Sequence, residues 1–432
     1  MSTHRFETLA IHAGQEPDPA TGARALPIYQ TTSFVFPDAE TAANRFALAE
    51  LGPIYTRITN PTQAAVEDRI AALEGGAAGL LVASGQSAIT LAILNLASAG
   101  DSIVVSPSLY GGTFNLFKHT LSRLGITPIW VEDPADPASW RAAITPTTKA
   151  LFAETVPNPR QDILDIAAVA DVAHEAGVPL VVDNTVATPY LLRPIEHGAD
   201  IVVHSATKFL GGHGTTIAGA IVDAGTFDYT VTADDGQPRF PGFVEPDSSY
   251  NGLVYTQLPE GLPPYLIKVR VQLLRDIGPA IAPHSAFLIA QGLETLPLRM
   301  ERHLENARAV AEFLTTQDGV ESVTWASLPD SPYHELAERY VPAGSGSVLG
   351  FTLAAGAEAG KRFVDALQLH SNVANIGDVR SLVIHPASTT HSQLSEEEQR
   401  AAGVEPGFVR LSVGLEHIDD ILADLRLGFA AL

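Results

Sequence analysis

The chain has 432 residues, too many for one ordinary core, and its length predicts two folded units with an added arm. Lys and Arg total 26 against 49 Asp and Glu, a formal net charge of −23 that excludes binding to nucleic acid or an anionic membrane through the overall field. Cysteine is absent, which removes disulfides, thiolate metal sites and a cysteine nucleophile from consideration. Met1 to Gln15 hold no apolar core of signal-peptide length, and no run approaches the ~20 apolar residues of a membrane helix, so a soluble, cytoplasmic protein is expected.

Residues 1–61 are punctuated by Pro17, Pro19, Pro27, Pro37, Pro53 and Pro61 and read as an arm, with one short extended piece at Tyr29–Phe36. From Thr62 the pattern turns to alternating strand and helix. Apolar runs at Gly79–Ala83, Ser102–Val105, Pro128–Val131, Ala150–Ala153, Leu180–Val182 and Ile201–Val203 are separated by helical stretches that include Ser87–Ala97, Gly112–Leu124 and Asp162–Ala176. Short apolar strands between helices predict an α/β fold with a mostly parallel sheet covered on both faces. Residues 225–264 look irregular, and 264–296 is helical with breaks near Pro279 and Pro283. A smaller α/β unit follows, with a helix at Leu298–Thr315, strands at Val348–Leu353, Leu382–Ile384 and Phe408–Val413, and helices at Gly360–Leu367 and after His417. The divisions drawn are 1–61, 62–290 and 291–432.

Ligands of such sheets bind beyond the carboxyl ends of the strands, so the residues after each run carry the functional reading. Ile201–Val203 leads into His204, Ser205, Ala206, Thr207 and Lys208. A buried strand there delivers an amine flanked by two hydroxyls suited to phosphate oxygens, although a surface lysine after a strand would look the same in isolation. Leu180–Val182 leads into Asp183, a carboxylate that a pyridinium nitrogen would pair with, or that a structural ion pair would use. Ser84, Gly85, Gln86 and Ser87 form a turn at a helix start, where free N–H groups and the helix dipole favour a phosphate, or where a plain turn would suffice. Tyr110 follows Ser102–Val105 and can stack on a ring or simply pack. A phosphate cup, a stacking ring, an acid for a pyridine nitrogen and a lysine, in order on one sheet, match the requirements of pyridoxal 5'-phosphate (PLP).

Over essentially its full length the chain resembles the Cys/Met-metabolism family of PLP enzymes of fold type I. The matching stretches are Tyr55–Arg57, Ala83–Ser87, Leu109–Thr113, Glu154–Pro159, Val182–Asn184, His204–Lys208, Ser381–Pro386 and Val409–Leu415. The resemblance implies a seven-stranded large-domain sheet, a smaller C-terminal α/β domain and an N-terminal arm that serves a neighbouring subunit. It implies that Lys208 links the cofactor and then moves protons, that Asp183 pairs with the pyridine nitrogen, and that Tyr110 stacks on the ring. Gly85, Gln86, Ser205 and Thr207 would hold the phosphate, with Tyr55 and Arg57 reaching the phosphate of the neighbouring subunit. Asn158, Ser381 and Arg410 would receive the substrate carboxylate and the adjacent cofactor edge, a guanidinium being geometrically suited to a carboxylate. Tyr110 or Tyr55 would assist proton movement at the leaving group. A homotetramer built from two active dimers is the implied assembly.

The Asp247–Ile277 insertion, the Asn375–Asp378 turn and the run Leu382–His391 resemble the O-acetylhomoserine sulfhydrylase branch, which joins O-acetyl-L-homoserine to sulfide or methanethiol. Methionine γ-lyases carry Cys where this chain has Gly112, and cystathionine γ-synthase is the other rival within the family. A catalytically silent binding protein on the same fold is the alternative from another class. His204, His213, His385 and His391 show no metal-binding spacing, so no metal is expected.

Overall fold

The structure is a computed structural model that describes residues 4–233, 235–259, 261–390, 392, 399 and 403–432. Its centre is a seven-stranded sheet of β1 (Ala78–Val82), β2 (Ser102–Val105), β3 (Thr127–Trp130), β4 (Thr148–Glu154), β5 (Leu180–Asp183), β6 (Ile201–His204) and β7 (Gly219–Asp223). The spatial order is β1-β7-β6-β5-β4-β2-β3. All neighbours run parallel except β7, which is antiparallel to β1 and β6. The six apolar runs of the sequence are the six parallel strands. The seventh, Gly219–Asp223, follows the lysine within a glycine-rich stretch and drew no separate expectation.

Local signals set the helix ends. Asn60 caps helix Pro61–Glu74 by accepting from Thr62 N–H, Pro61 sits where its missing N–H costs nothing, and left-handed Gly75 ends the helix. The helix expected over Asp162–Ala176 runs only from Ile166 to Glu175, because Asp165 takes the capping position and accepts from Ala168 N–H. The stretch expected over Gly112–Leu124 is helix Gly111–Asn115 continued by a wider π-turn over Leu116–Leu121. In the arm, Tyr29–Phe36 forms no strand; an isolated bridge pairs Ser33 with Tyr55, and the arm's regular elements are helices Phe6–His12 and Ala39–Phe46. Val35, Phe46 and Leu51 of the arm stand exposed.

The C-terminal unit holds a five-stranded sheet: β8 (Val320–Thr324), β9 (Val348–Leu353), β10 (Ser371–Asn372), β11 (Leu382–Ile384) and β12 (Phe408–Ser412), in the order β10-β11-β12-β9-β8. Edge strands β8 and β10 and helix His334–Tyr340 were not anticipated, since short, half-exposed segments lack a clear apolar period. Helix Leu296–Thr315 joins the two units. Leu296 and Met300 enter the core around the large sheet, whereas Val310 and Leu314 enter the second core. No helix among the described residues is long and apolar enough to cross a membrane.

Candidate active site

Register brings the carboxyl ends of the central strands level. Glu154 on β4 pairs with Asp183 on β5, which pairs with Val203 on β6. Beyond these ends lies a cavity of about 260 Å³ lined by Gly85, Gln86, Tyr110, Asn158, Asp183, Ser205, Thr207, Lys208 and Arg410 of the expected set. Ser84, Glu154, Thr185 and Asn375 line it too.

Lys208 enters from the turn after β6 and donates from Nζ to Asn375 Oδ1 at 2.5 Å. Burial, and then the charge of Arg410, lower its amine to about 8, so the neutral nucleophile is accessible near neutral pH. Arg410, on β12 of the other unit, is itself lowered to about 10 by burial; it donates to Asn375 O at 3.1 Å and to Asn158 Oδ1 at 3.5 Å. An anion placed among these donors would restore the charge balance that burial disturbs.

At the other end, Ser84 caps helix Gly85–Leu94 by accepting from Ser87 N–H at 3.1 Å. A Cβ on Gly85 would lie 2.7 Å from Ser205 Cβ, so only glycine lets the helix start meet the Ser205 turn. Gln86 Oε1 is buried with no partner, and the Thr207 hydroxyl is engaged with Ala218, donating to O at 3.1 Å and accepting from N–H at 2.9 Å. A helix N-terminus, the Gln86 side chain and Ser205 line this end of the cavity, where a phosphate would sit.

Asp183 is raised by burial, while Thr185, whose N–H donates to Oδ1 at 2.9 Å, acts in the opposite direction. Glu154 is raised further, by burial first and then by the charge of Asp183. Its Oε1 accepts from Tyr110 N–H at 2.6 Å, fixing the backbone beneath the exposed Tyr110 ring. A Cβ on Gly112 would fall 2.4 Å from Tyr110 Cε1 and 2.7 Å from Gln86 Nε2. An acid at the cavity floor, a ring at its mouth, a lysine and a phosphate cup all fit PLP.

Three expected residues stand apart. Ser381 is fully buried outside the cavity; its N–H and Oγ donate to Glu416 at 2.7 and 2.9 Å, and Oγ accepts from Gly414 N–H. With the hydroxyl engaged there, Ser381 does not line the cavity as its assignment to a substrate carboxylate would have it, and Asn375 lines the cavity. Tyr55 and Arg57 lie on the arm, exposed side by side with the guanidinium 5.2 Å from the ring centroid, and do not reach this chain's cavity.

Glu154 and Asn375 had been noted only within longer motifs. The signal for Glu154 was its place at a strand end beside Asp183, and Asn375 needed the approach of the second unit. Among the histidines, His204 Nε2 meets Glu74 Oε1 at 2.5 Å, and His385 uses Ser388 Oγ and Pro406 O, both at 2.8 Å. His213 Nδ1 meets Gly211 O at 2.7 Å, and His391 lies outside the described residues.

A profile of the Cys/Met metabolism PLP-dependent enzymes matches residues 7–430. The chain belongs to that family. It is 56% identical over 427 residues to an O-acetyl-L-homoserine sulfhydrylase of Corynebacterium glutamicum, covering 99% of this chain and 97% of that protein. It is 50% identical to a homocysteine synthase of Schizosaccharomyces pombe, covering 98% of each. A crystal structure of an O-acetylhomoserine (thiol)-lyase from Campylobacter jejuni, which carries a pyridoxyl-lysine monophosphate residue, superposes with a TM-score of 0.94 at 41% identity, covering 99% of this chain and all of that one. Membership establishes a PLP-dependent enzyme of fold type I, with PLP as its cofactor.

Proposed function

We propose that the protein replaces the γ-acetoxy group of O-acetyl-L-homoserine with sulfide or methanethiol, giving L-homocysteine or L-methionine and acetate. The observation that carries this reading is the full-length likeness to O-acetyl-L-homoserine sulfhydrylases at 54–56% identity. The cavity is consistent with it, offering an amine at Lys208 and a guanidinium at Arg410 for the two ends of an amino acid. Bound PLP supplies an aldehyde for the substrate amine and a ring that draws electrons from Cα and Cβ.

The chain's residues divide the remaining work. Arg410 and Asn158 orient the substrate carboxylate. Lys208, freed as a neutral amine, takes the Cα proton and returns a proton later. Asp183 keeps the ring nitrogen protonated. Gly85, Gln86 and Ser205 hold the phosphate, the Thr207 hydroxyl joins them by turning its proton away from Ala218 O, and Tyr110 covers the ring. A second proton leaves Cβ, and its electron pair forms the Cβ–Cγ double bond as acetate departs from Cγ with the bonding pair. Sulfide then adds at Cγ while a proton returns to Cβ, and Tyr110 or Tyr55 moves a proton near the leaving group. The exposed Tyr55 and Arg57 act on the phosphate of a second copy, which gives the arm of residues 1–61 its purpose. The large domain spans 62–290 and the C-terminal domain 291–432. The working assembly is a cytoplasmic tetramer of two active dimers.

Product analysis tests the reaction. O-acetylhomoserine with sulfide is expected to yield homocysteine. Faster turnover of O-succinylhomoserine with cysteine, or of methionine alone, would replace this reading with a cystathionine γ-synthase or a methionine γ-lyase. Lys208→Ala is expected to abolish turnover and change the visible spectrum; full activity in that variant would overturn the lysine's role.

A further inference from the structure

Arg299 lies in the first turn of helix Leu296–Thr315 and is only 5% exposed. Burial alone lowers it, to about 10, and no carboxylate among the described residues pairs with it. Its donors go to backbone and hydroxyl oxygens instead. Nη1 donates to Phe209 O at 2.7 Å, Nη2 to Gly292 O at 2.6 Å and Leu210 O at 3.3 Å, and Nε to Thr295 Oγ1 at 3.3 Å. Phe209 and Leu210 are the two residues that follow Lys208.

Burying a cation without an anion is costly, and an apolar side chain of similar volume would avoid that cost. The arginine therefore needs a reason, and the turn supplies one. After Lys208 the chain does not continue as a helix, so carbonyls that a helix would satisfy are left without partners. A planar guanidinium reaches several of them at fixed angles, which an ammonium cannot do. Gly212, at φ +73°, makes room, since a Cβ there would fall 2.2 Å from Nη1. The C-terminal unit grips the same turn elsewhere: Val379 N–H donates to Gly212 O at 2.9 Å, and Gly377 runs so close that a Cβ on it would fall 2.8 Å from Phe209 N.

We propose that Arg299 is a positioning residue for Lys208: its guanidinium binds the Phe209–Gly212 turn to the helix that joins the two units, so that the lysine amine and Asn375 are presented to the cofactor as one rigid piece. This rests on the reading of Lys208 as the cofactor lysine. The linkage makes the geometry of the lysine depend on the seat of the C-terminal unit.

Arg299→Lys in the PLP-loaded enzyme tests it, because the charge stays while the fork is lost. Loosening the lysine by a fraction of an ångström is expected to lower kcat roughly tenfold while KM for O-acetylhomoserine stays within about twofold. The pH midpoint of the cofactor's visible absorbance is expected to move by about half a unit or more, since it reports the surroundings of the lysine nitrogen. Thr295→Val, which removes one hydroxyl contact of the guanidinium, is expected to shift both readouts in the same direction by less, and it decides the matter if Arg299→Lys does not fold. A merely structural arginine would lower the melting temperature but leave kcat and the absorbance midpoint at wild-type values, and that result in the folded variants would overturn the proposal. Wild-type protein that gains no visible absorbance with PLP would instead overturn the underlying reading of Lys208.

Discussion

Asn375 Oδ1 accepts from Lys208 Nζ at 2.5 Å, while the backbone carbonyl of the same asparagine accepts from Arg410 at 3.1 Å. One residue of the C-terminal unit thereby touches both the amine and the guanidinium proposed to handle the two ends of the substrate. A hydrogen bond to a charged group contributes about 1.5–3 kcal/mol, so Asn375→Ala is expected to reduce kcat/KM by about tenfold or more. Steady-state kinetics check this, and the melting temperature should change little because the amide lines an open cavity.

The amine of Lys208 is lowered to about 8 by burial and by Arg410. Attachment of PLP to the apo-enzyme should therefore accelerate as pH rises and level off above about pH 8, where the amine is neutral. Arg410→Gln removes the second cause, so the midpoint should move upward. Stopped-flow absorbance across pH 6–10 (a range of about four units) measures both curves; an unmoved midpoint in the variant would contradict the role of Arg410.

Gly112 tests the stacking ring. A Cβ there would meet Tyr110 at 2.4 Å and Gln86 at 2.7 Å, so Gly112→Ala must displace both side chains. A displaced ring forfeits stacking contact worth about 0.5–1.5 kcal/mol, which predicts weaker PLP binding by about threefold to tenfold. Equilibrium titration of apo-enzyme with PLP gives the value.

Asp223, at the end of β7 and away from the cavity, is raised by burial from its ordinary 3.8 to about 7. The folded chain then holds a proton that the unfolded chain releases between those values. Stability contributed by the neutral form is complete below about pH 4 and is lost as pH rises to about 7, at up to about 1.4 kcal/mol per pH unit. Asp223→Asn lacks this titration, so its melting temperature should fall less than that of the wild type between pH 5 and pH 8 (about three units of pH). Calorimetric scans at several pH values compare the slopes.

Much of the site was legible because strand ends are marked in the chain. Each parallel strand is a short apolar run, and the residue types after the runs ending at Val182 and Val203 are chemical rather than structural. The antiparallel β7 was less legible, since a strand in a glycine-rich stretch carries no partner information of its own. The placement of Ser381 was less legible for a related reason. Its motif places it beside β11, but whether its hydroxyl faces the cavity or Glu416 depends on how the loop after β12 folds over it. Asn375, four residues earlier than Val379, reaches Lys208 across 167 positions of sequence, a separation at which local pattern has no force.

By itself the sequence determined the alternation of strands and helices, the order of the chemical residues and the acid, amine and ring that PLP requires, because these follow from local periodicity and residue type. Only the tertiary structure decided that Glu154 and Asp183 stand level, that Asn375 meets the lysine, and that Arg299 holds the turn behind it. Those relationships depend on register between strands and on the docking of one unit against another. They are set by burial and directional hydrogen bonding among residues far apart in the chain, which no neighbouring residues record.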